Sequence, residues 1–493
     1  MKKITKILAL LLVILMLLPS ALACSKKEGD ASDSDASDVS TSSEDTDSLY
    51  DENGYLKDSL PDLDYEGAPV RILGWDGFTG DFYVDTDTGD TILDSVYYRN
   101  IKVQERLNIE LTAEIIPGGN SVMSEFVSTV INTSMSGTDA YDIVGAYSMA
   151  AGSLAMQGVV CNMYDLEYID FEKPWWSKNL IEASTINGAI YFASGDLSNG
   201  YLYSMQAMAL NRSFLAMHNL DDPRQLVIDG KWTLEELKKL TLNIGSDMDN
   251  ETGKTEGDIY GLVCPSDVYS EAFVIGSGIK ISAENSSGLL QLTDDYTGNK
   301  MHTLLSDLAT EFNANDWLLE GVSTAALKGG NSLFGVIEMS MCGTLAQGSW
   351  AFSPLPLPKY NTDQTDYYTN IGFTYTAFCI PNVAKDNDMS AAVLECMNSE
   401  AYRSSAVTLF ETMMKGRFSQ DPVDMQIYEI IKSSVYVDMA RVFSNSFSDW
   451  SNNPTGAIRR YFQAQGGDWM STMAGIKGGI NETLKQIDNA IIG

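Results

Sequence analysis

The strongest constraint on the fold is an alternation of apolar strands and amphipathic helices between residues 70 and 147. The strand patterns cover Val70–Trp75, Ile109–Ile116 and Tyr141–Ala146, and the helical patterns cover Ser95–Leu107 and Val122–Met135. This order predicts a parallel sheet covered by helices, because parallel strands need a crossover connection. Ligands of such sheets bind beyond the carboxyl ends of the strands, here Trp75–Asp76 and Tyr147–Met149.

The N-terminus predicts a secretory signal peptide over residues 1–23. Three lysines precede an apolar run over residues 7–18, which is too short for a comfortable membrane span. The stretch Ala21–Cys24 then resembles a bacterial lipobox, which implies that Cys24 carries lipid, including palmitate, and becomes the first mature residue. Because Ala21 stands where an aliphatic residue is usual, an ordinary cleaved signal that ends near a cysteine is the alternative.

The stretch that follows Cys24 is typical of a tether. Residues 25–49 are mostly Ser, Asp, Glu, Gly and Thr and contain no aromatic residue, so they cannot bury enough apolar area to offset their ordering entropy. Like charges along the segment repel one another and extend it. We therefore expect residues 24–65 to comprise the lipidated cysteine and a disordered acidic tether. Since one acyl chain anchors weakly, stable attachment needs the multiple acylation of a lipoprotein.

Length and charge limit the class of the remaining body. Roughly 430 residues are too many for one typical core, which predicts two domains or lobes. A formal net charge of −35 disfavours nucleic acid and anionic membrane surfaces as partners. The five cysteines after Cys24 are scattered without C-x-x-C spacing, so neither a disulfide framework nor a zinc site is expected.

Six short stretches follow one another in a characteristic order: Tyr141–Val144, Gln157–Leu166, Ile186–Tyr191, Met208–Leu215, Lys231–Leu237 and Phe352–Lys359. They resemble motifs of the extracellular solute-binding proteins of bacterial ABC importers, family 1, the group that binds sugars and oligosaccharides. Lys231–Leu237 is close to that family's W-T-x-[DE]-E-L motif, whereas Leu210 stands where Tyr is common. The likeness covers roughly residues 66 to 420, and the order of its motifs is more specific than any single one.

The resemblance implies a periplasmic-binding-protein-like type II fold, in which two α/β lobes are joined by a multi-segment hinge with a ligand cleft between them. We expect the first lobe to hold residues 66–203 and 358–405, and the second to hold 204–357 and 406–493. The chain should cross near Ser204–Ala209, near Phe352–Pro358 and after the helix around residues 391–410. The stiff Pro354-x-Pro356-x-Pro358 run suits such a crossing, although an ordinary loop fits it too.

The resemblance also implies a function without catalysis or a cofactor. The chain would be a monomeric lipoprotein on the extracellular face of the cell membrane. It would capture a carbohydrate, expected to be an oligosaccharide, and deliver it to the membrane permease of an ABC importer. Ligand would favour the closed form through hinge motion. The chain has no G-x-x-x-x-G-K-[ST] motif, so it is not the ATPase of such a system.

Candidate ligand contacts follow from sugar chemistry. Aromatic side chains cover the apolar face of a sugar ring, and polar side chains bond its hydroxyl groups. The candidates at strand ends, crossings and the C-terminal region are Trp75, Asp76, Tyr147, Ser148, Trp175, Trp176, Asp196, Asn199, Tyr201, Met341, Gly343, Trp350, Trp450 and Trp469. For each aromatic, burial in the core is the alternative. Trp232 has a structural interpretation instead, since Thr233 and Glu236 form a capping box after it.

One segment has oxygen ligands spaced as in a calcium loop. Asp247, Asp249, Glu251 and Asp258 fit that spacing, but Thr252 occupies the sixth position, where the loop needs glycine. The twelfth residue is also Asp rather than Glu. A polar surface loop is therefore the preferred interpretation, and no metal is expected.

Two other functions stay open. A lipid-anchored glycoside hydrolase or lyase would use paired carboxylates, which the sequence does not exclude. The only histidines, His218 and His302, have no metal-ligand context, and the chain has no G-x-S-x-G motif. A binding protein for peptides or another solute could use the same fold, because fold does not fix the ligand.

Overall fold

The computed structural model describes residues 49–314, 316–447 and 452–492, and the residues from Gly54 onward form one compact unit. The predicted signal peptide, Cys24 and most of the predicted tether lie outside the described residues. Over the described part of the chain, no helix has both the length and the apolar composition that a membrane span needs.

The first sheet contains the three strands that the sequence predicts. Its strands are β1 (Ala68–Trp75), β2 (Ile109–Ile116), β3 (Ile143–Tyr147) and β12 (Thr376–Cys379), in the order β12-β3-β1-β2. β1 pairs in parallel with β2 and β3, as the strand–helix alternation predicts. β12 pairs antiparallel with β3 and was not predicted, because this strand joins the sheet from a distant part of the chain.

A second, five-stranded sheet has the order β10-β4-β9-β5-β8. Its strands are β4 (Gln206–Asn211), β5 (Tyr260–Cys264), β8 (Trp317–Leu319), β9 (Ser332–Glu338) and β10 (Phe352–Leu355). β5 pairs in parallel with β8 and β9, whereas β4 runs antiparallel to both β9 and β10. All strands of each sheet fall within the residues predicted for one lobe, although the lobe boundaries themselves stay a prediction.

Two small sheets and the helices complete the unit. β6 (Ser282–Glu284) pairs antiparallel with β7 (Leu290–Leu292), and β11 (Thr369–Asn370) pairs in parallel with β13 (Val435–Tyr436). The α-helices are Thr91–Leu107, Met123–Met135, Ser148–Met156, Lys178–Ser184, Asn199–Tyr203, Arg212–His218, Arg224–Ile228, Leu234–Thr241, Ser270–Gly276, Asp294–Thr297, Asn299–Asn313, Ser323–Gly329, Cys342–Ala346, Asn387–Arg403, Ser405–Val407, Pro422–Ser433, Met439–Val442, Pro454–Gln463 and Trp469–Ile492. Shorter 3₁₀ turns are Met163–Asp165, Asp267–Tyr269, Met339–Met341 and Ser444–Ser446, and Thr408–Phe418 is a π-helix.

Local capping explains where helices begin. The helix Thr91–Leu107 starts four residues before the predicted Ser95, because the carboxylate of Asp90 accepts hydrogen bonds from the first-turn amides of Ile92 and Leu93. The helix Leu234–Thr241 begins after Thr233, whose hydroxyl oxygen accepts from the amide of Glu236. The carboxylate of Glu236 accepts from Lys239, at 2.8 Å.

The two faces of β1 pack into different cores. Val70 and Ile72 belong to a cluster that also contains Val103 of the helix Thr91–Leu107. Leu73 and Trp75 belong to a larger cluster that extends through the second sheet. Alternating side chains along a strand produce this division, and it directs Trp75 at the strand's carboxyl end towards the second sheet.

Candidate functional site

A cavity of about 410 Å³ is lined by residues that follow strands of both large sheets and by the C-terminal region. This cavity, called the cleft below, is lined by Asn120, Tyr147, Met149, Val268, Phe373, Ser444, Asn445, Phe447, Asn453 and Arg459. Asn120 and Tyr147 follow or end strands of the first sheet, and Val268 follows β5 of the second. The cleft therefore lies beyond carboxyl ends of parallel strands, where ligands of α/β sheets bind.

An aromatic pair forms one wall beside the cleft. The rings of Trp75 and Tyr147 lie 5.0 Å apart between centroids, and both side chains are buried. The indole nitrogen of Trp75 donates a hydrogen bond of 2.8 Å to the hydroxyl of Thr376, which fixes the plane of the ring. A Cβ added to Gly118 would approach the Cβ of Trp75 to 2.6 Å. Glycine at this position therefore lets the loop after β2 run close to Trp75.

Burial keeps the hydroxyl of Tyr147 protonated. Its pKa is raised by burial, although the charges of Arg441 and Arg459 oppose this. The hydroxyl can therefore both donate to and accept from a ligand hydroxyl at neutral pH.

A buried ionic cluster supports the opposite side of the cleft. The carboxylate of Glu271 is fully buried, and its two oxygens accept hydrogen bonds of 2.9 Å from Arg441 Nε and 2.6 Å from Arg459 Nε. The guanidinium of Arg441 also donates to the carbonyl of Ile371. These bonds connect three helices and the segment before β12, so the cleft-lining Arg459 is held in place by a rigid frame.

Phe373 contacts the ionic cluster and also lines the cleft. The guanidinium carbons of Arg441 and Arg459 lie 4.4 Å and 5.8 Å from the centroid of the Phe373 ring, within the range of cation–π attraction. Arg441 Nη2 is buried and has no hydrogen-bond partner among the described residues. Arg441 therefore has one unpaired N–H donor group near the ring of Phe373, which lines the cleft.

A second carboxylate lies where the chain passes between the sheets. Burial raises the pKa of Glu338, at the end of β9, to about 7, and interactions with Gln206 and Arg441 oppose the rise. The carboxylate of Glu338 lies close to the backbone of Gly372, so a side chain at position 372 would require it to shift. The amide of Gly372 donates to the carbonyl of Ser204, which lies in the first predicted crossing region.

The fold is similar to those of several solved binding proteins. The cyclic alpha-maltosyl-1,6-maltose binding protein from Arthrobacter globiformis superposes with a TM-score of 0.57, at 14% identity, over 85% of this chain and 99% of its own. The chain has the fold of an ABC substrate-binding protein. An ABC substrate-binding protein from Listeria monocytogenes, solved in complex with cycloalternan, matches with a TM-score of 0.53 and 11% identity over 85% and 99% of the two chains.

A third neighbour of the same fold carries a different ligand. UgpB from Mycobacterium tuberculosis, solved with glycerophosphocholine, matches with a TM-score of 0.54 and 14% identity, over 85% of this chain and 99% of its own. No protein-family model and no curated protein sequence matches the chain. The three structural neighbours confirm the predicted periplasmic-binding-protein-like type II α/β fold.

Within the substrate-binding-protein fold, the strand-end candidates lie at or next to the cleft. Tyr147 lines it directly, and the ring of Trp75 packs against that of Tyr147 at a tilted angle. Ser148 is buried, and its hydroxyl donates a 2.6 Å hydrogen bond to the carbonyl of Phe373. Asp76 is exposed beside a neighbouring cavity of about 550 Å³, and its carboxylate accepts from the amide of Gly118 at 3.0 Å.

Four of the predicted residues are placed in a different region. Trp175 and Trp176 are buried, and their indole nitrogens donate to the two oxygens of Glu395 at 3.0 Å and 2.8 Å. Trp176, Asp196 and Tyr201 line a separate cavity of about 320 Å³, none of whose lining residues belongs to the cleft.

Asn199 does not line the cleft either, and its buried side-chain amide donates to the carbonyl of Gly80 at 3.5 Å.

The remaining aromatic and turn candidates pack internally. Trp350 donates to the carbonyl of Lys328 at 3.4 Å, and the fully buried Trp469 donates to the carbonyl of Tyr296 at 2.7 Å. Met341 and Gly343 do not line the cleft; a Cβ on Gly343 would lie 3.0 Å from the ring of Phe418. Trp450 lies outside the described residues.

The calcium-loop candidates come together only in part. Single carboxylate oxygens of Asp247, Asp249 and Asp258 lie within 4.8 Å of one another, whereas Glu251 is not part of this group. The carboxylate of Asp258 accepts from the amides of Met248 and Thr255, which lowers its pKa. These bonds orient the carboxylate of Asp258 within the loop.

Several cleft residues were missed from sequence. Asn120 lies in the loop after β2, so the strand-end rule that selected Trp75 could have found it. Phe373 and Arg459 carry no comparable local signal, because distant segments bring them together. Glu271, which holds Arg459 without lining the cleft, carries none either.

Proposed function

We propose that the protein is the substrate-binding lipoprotein of an ABC importer and that it captures a carbohydrate in the cleft. The observation that carries this proposal is the cleft itself, which combines the aromatic side chains of Tyr147 and Phe373 with the amides of Asn120 and Asn445 and with Arg459. Aromatic faces beside hydroxyl-bonding groups suit a sugar ring. Structural neighbours that bind cycloalternan and maltosyl sugars support the same ligand class.

The remaining parts of the proposal concern topology and delivery. A signal peptide over residues 1–23, lipid on Cys24 and the acidic tether would place the binding unit on the extracellular face of the membrane. The two lobes would follow the boundaries predicted from sequence. Closure of the lobes around the sugar would create the form that a permease recognises, with the protein acting as a monomer and without catalysis.

The ligand class can be tested by titration. Trp75 lies next to Tyr147, so binding in the cleft should change intrinsic tryptophan fluorescence. Purified protein would be titrated with maltotriose, maltotetraose and cycloalternan, and with tri- and tetrapeptides. We expect saturable binding of at least one oligosaccharide and no release of shorter sugars. Peptide binding without sugar binding would favour the peptide alternative, and sugar cleavage would favour the hydrolase.

A matched pair of variants locates the binding site. Asn120→Ala removes an exposed amide from the cleft, whereas Asn361→Ala removes an exposed amide that does not line it. Loss of one net hydrogen bond of about 0.5–1.5 kcal/mol corresponds to binding that is about 2- to 13-fold weaker. We expect this change for Asn120→Ala and none for Asn361→Ala. Equal affinities of the two variants would contradict binding in the cleft.

A further inference from the structure

A second groove lies apart from the cleft. It consists of the cavity of about 320 Å³ that contains Asp196 and an adjoining cavity of about 690 Å³, and both are lined by Asn179, Ser433 and Val435. The groove is bordered by the helices Lys178–Ser184 and Pro422–Ser433. None of the residues that line the cleft belongs to it.

The smaller cavity of this second groove contains an unpaired carboxylate. Asp196 uses its backbone amide to bond the carbonyl of Trp175, but its carboxylate has no hydrogen-bond partner among the residues that the structure describes. Burial raises the pKa of Asp196 to about 6, and the charge of Lys432 opposes the rise. Its side chain keeps partial contact with solvent through the cavity. The carboxylate therefore borders the cavity without a protein donor, and a donor group of a ligand can bond it directly.

Three aromatic side chains line the same cavity as this carboxylate. Trp176 and Tyr201 are buried in the cavity wall, and Tyr402 is half-buried beside them. The indole of Trp176 is held by Glu395, as described above, and the hydroxyl of Tyr201 lies 2.5 Å from that of Ser177. Aromatic rings and a hydrogen-bond acceptor in the wall of one cavity are the kinds of groups that bind a sugar or polyol.

The charges around Asp196 decide between ligand classes. Lys432 lies close enough to lower the pKa of Asp196, and its ammonium is 4.6 Å from the centroid of Phe410. Lys178 also lines the cavity, although it pairs with Glu182 at 3.6 Å. A cationic ligand would be repelled by these two lysines, and an anionic ligand would be repelled by the carboxylate of Asp196. Neutral hydroxyl groups can donate to the carboxylate of Asp196 without repulsion from the lysines or from the carboxylate.

We propose that this groove is a second binding site, which takes a neutral polyhydroxylated molecule of about the size of one sugar ring, with Asp196 accepting its hydroxyl groups. The smaller cavity lies near the lower end of the usual 300–1,000 Å³ range for ligand sites. The site goes beyond the proposed function of the cleft, since its residues and its ligand size are different.

The test uses the full chain with maltotriose added to saturation, so that a cleft that binds sugar is already occupied. Glucose, sorbitol, galacturonate and tetramethylammonium are then titrated at pH 7.5, with binding followed by saturation-transfer NMR. We expect glucose or sorbitol to bind and the two ions not to bind. Binding of an ion in preference to the neutral probes, or of no probe at all, would overturn the proposal.

Variants separate this site from the cleft. Asp196→Asn should weaken binding of the neutral probe at least tenfold, whereas Asn120→Ala in the cleft should leave it unchanged. Asp363→Asn, an exposed carboxylate outside both sites, serves as the matched control. The melting temperature of ligand-free Asp196→Asn should equal or exceed that of the wild type, because the variant removes an unpaired desolvated charge. Probe binding by Asp196→Asn equal to that of the wild type would refute the site. The comparison of Asp196→Asn with the wild type does not depend on whether maltotriose binds. Failure of sugar binding in the cleft is seen separately, in the oligosaccharide titration.

Discussion

Replacing Glu271 with alanine should destabilise the protein strongly, because two arginines lose their shared carboxylate. The side chain of Glu271 is fully buried, and that of Arg441 is only 4% exposed. Removing one partner of such a buried pair typically costs about 3–5 kcal/mol, since the other charge is left desolvated. Arg459 is more exposed and can recover contact with water, so most of the cost should come from Arg441.

The free energy of unfolding is best measured by urea titration, followed by circular dichroism and by fluorescence. Glu235→Ala provides the control, because Glu235 pairs with Lys239 at 3.2 Å while 78% of its side chain is exposed. Exposed pairs contribute about 0–1 kcal/mol, so the control should lie close to the wild type. The two signals must also report the same transition, since a two-lobed chain can unfold in steps.

A loss for Glu271→Ala no larger than that for Glu235→Ala would refute the reasoning, because it would mean that Arg441 does not depend on this carboxylate. The double variant Glu271→Ala/Arg441→Met gives an internal check. Removing both charges should restore part of the lost stability, because no charge of this pair then remains buried without a partner.

Two further predictions concern single groups. Because burial raises the folded-state pKa of Glu338 from 4.5 to about 7, its ionisation disfavours folding, and stability should fall as the pH rises from about 4.5 to 7. Glu338→Gln should match the wild type at pH 4.5 and exceed it by up to about 3 kcal/mol at pH 8 in urea titrations; parallel pH profiles would contradict this. Radioactive palmitate should label the wild type and not Cys24→Ala; equal labelling would exclude Cys24 as the lipid site.

The first sheet could be predicted because each strand alternates or runs apolar over a short, bounded stretch. β1, β2 and β3 carry such patterns, and their parallel pairing follows from the helices between them. β12 has only four residues and pairs with β3 from more than two hundred residues away. Its place in the sheet depends on tertiary packing, which no local pattern records.

The candidate site was predictable only where it coincides with strand ends. Tyr147 was found because β3 ends there, while Trp175 and Trp469 were chosen as aromatics and are buried through indole hydrogen bonds to Glu395 and to the carbonyl of Tyr296. Sequence cannot separate these cases, since a tryptophan that donates to a buried acceptor and one that faces a ligand have the same local pattern. The partner of the indole nitrogen distinguishes them, and only the fold supplies that partner.

The position of the ionic cluster also bears on how a ligand could close the lobes. Tyr147 belongs to the first sheet, whereas Arg459 is held by Glu271 on the helix that follows β5 of the second sheet. A ligand that bonds only one of these sides binds the open and closed forms equally and shifts no population. A sugar that contacts both gains its extra bonds only in the closed form. Phe373 and Ile371 lie in the segment before β12 and also contact Arg441, so the ionic cluster that holds Arg459 is joined directly to residues predicted for the first lobe.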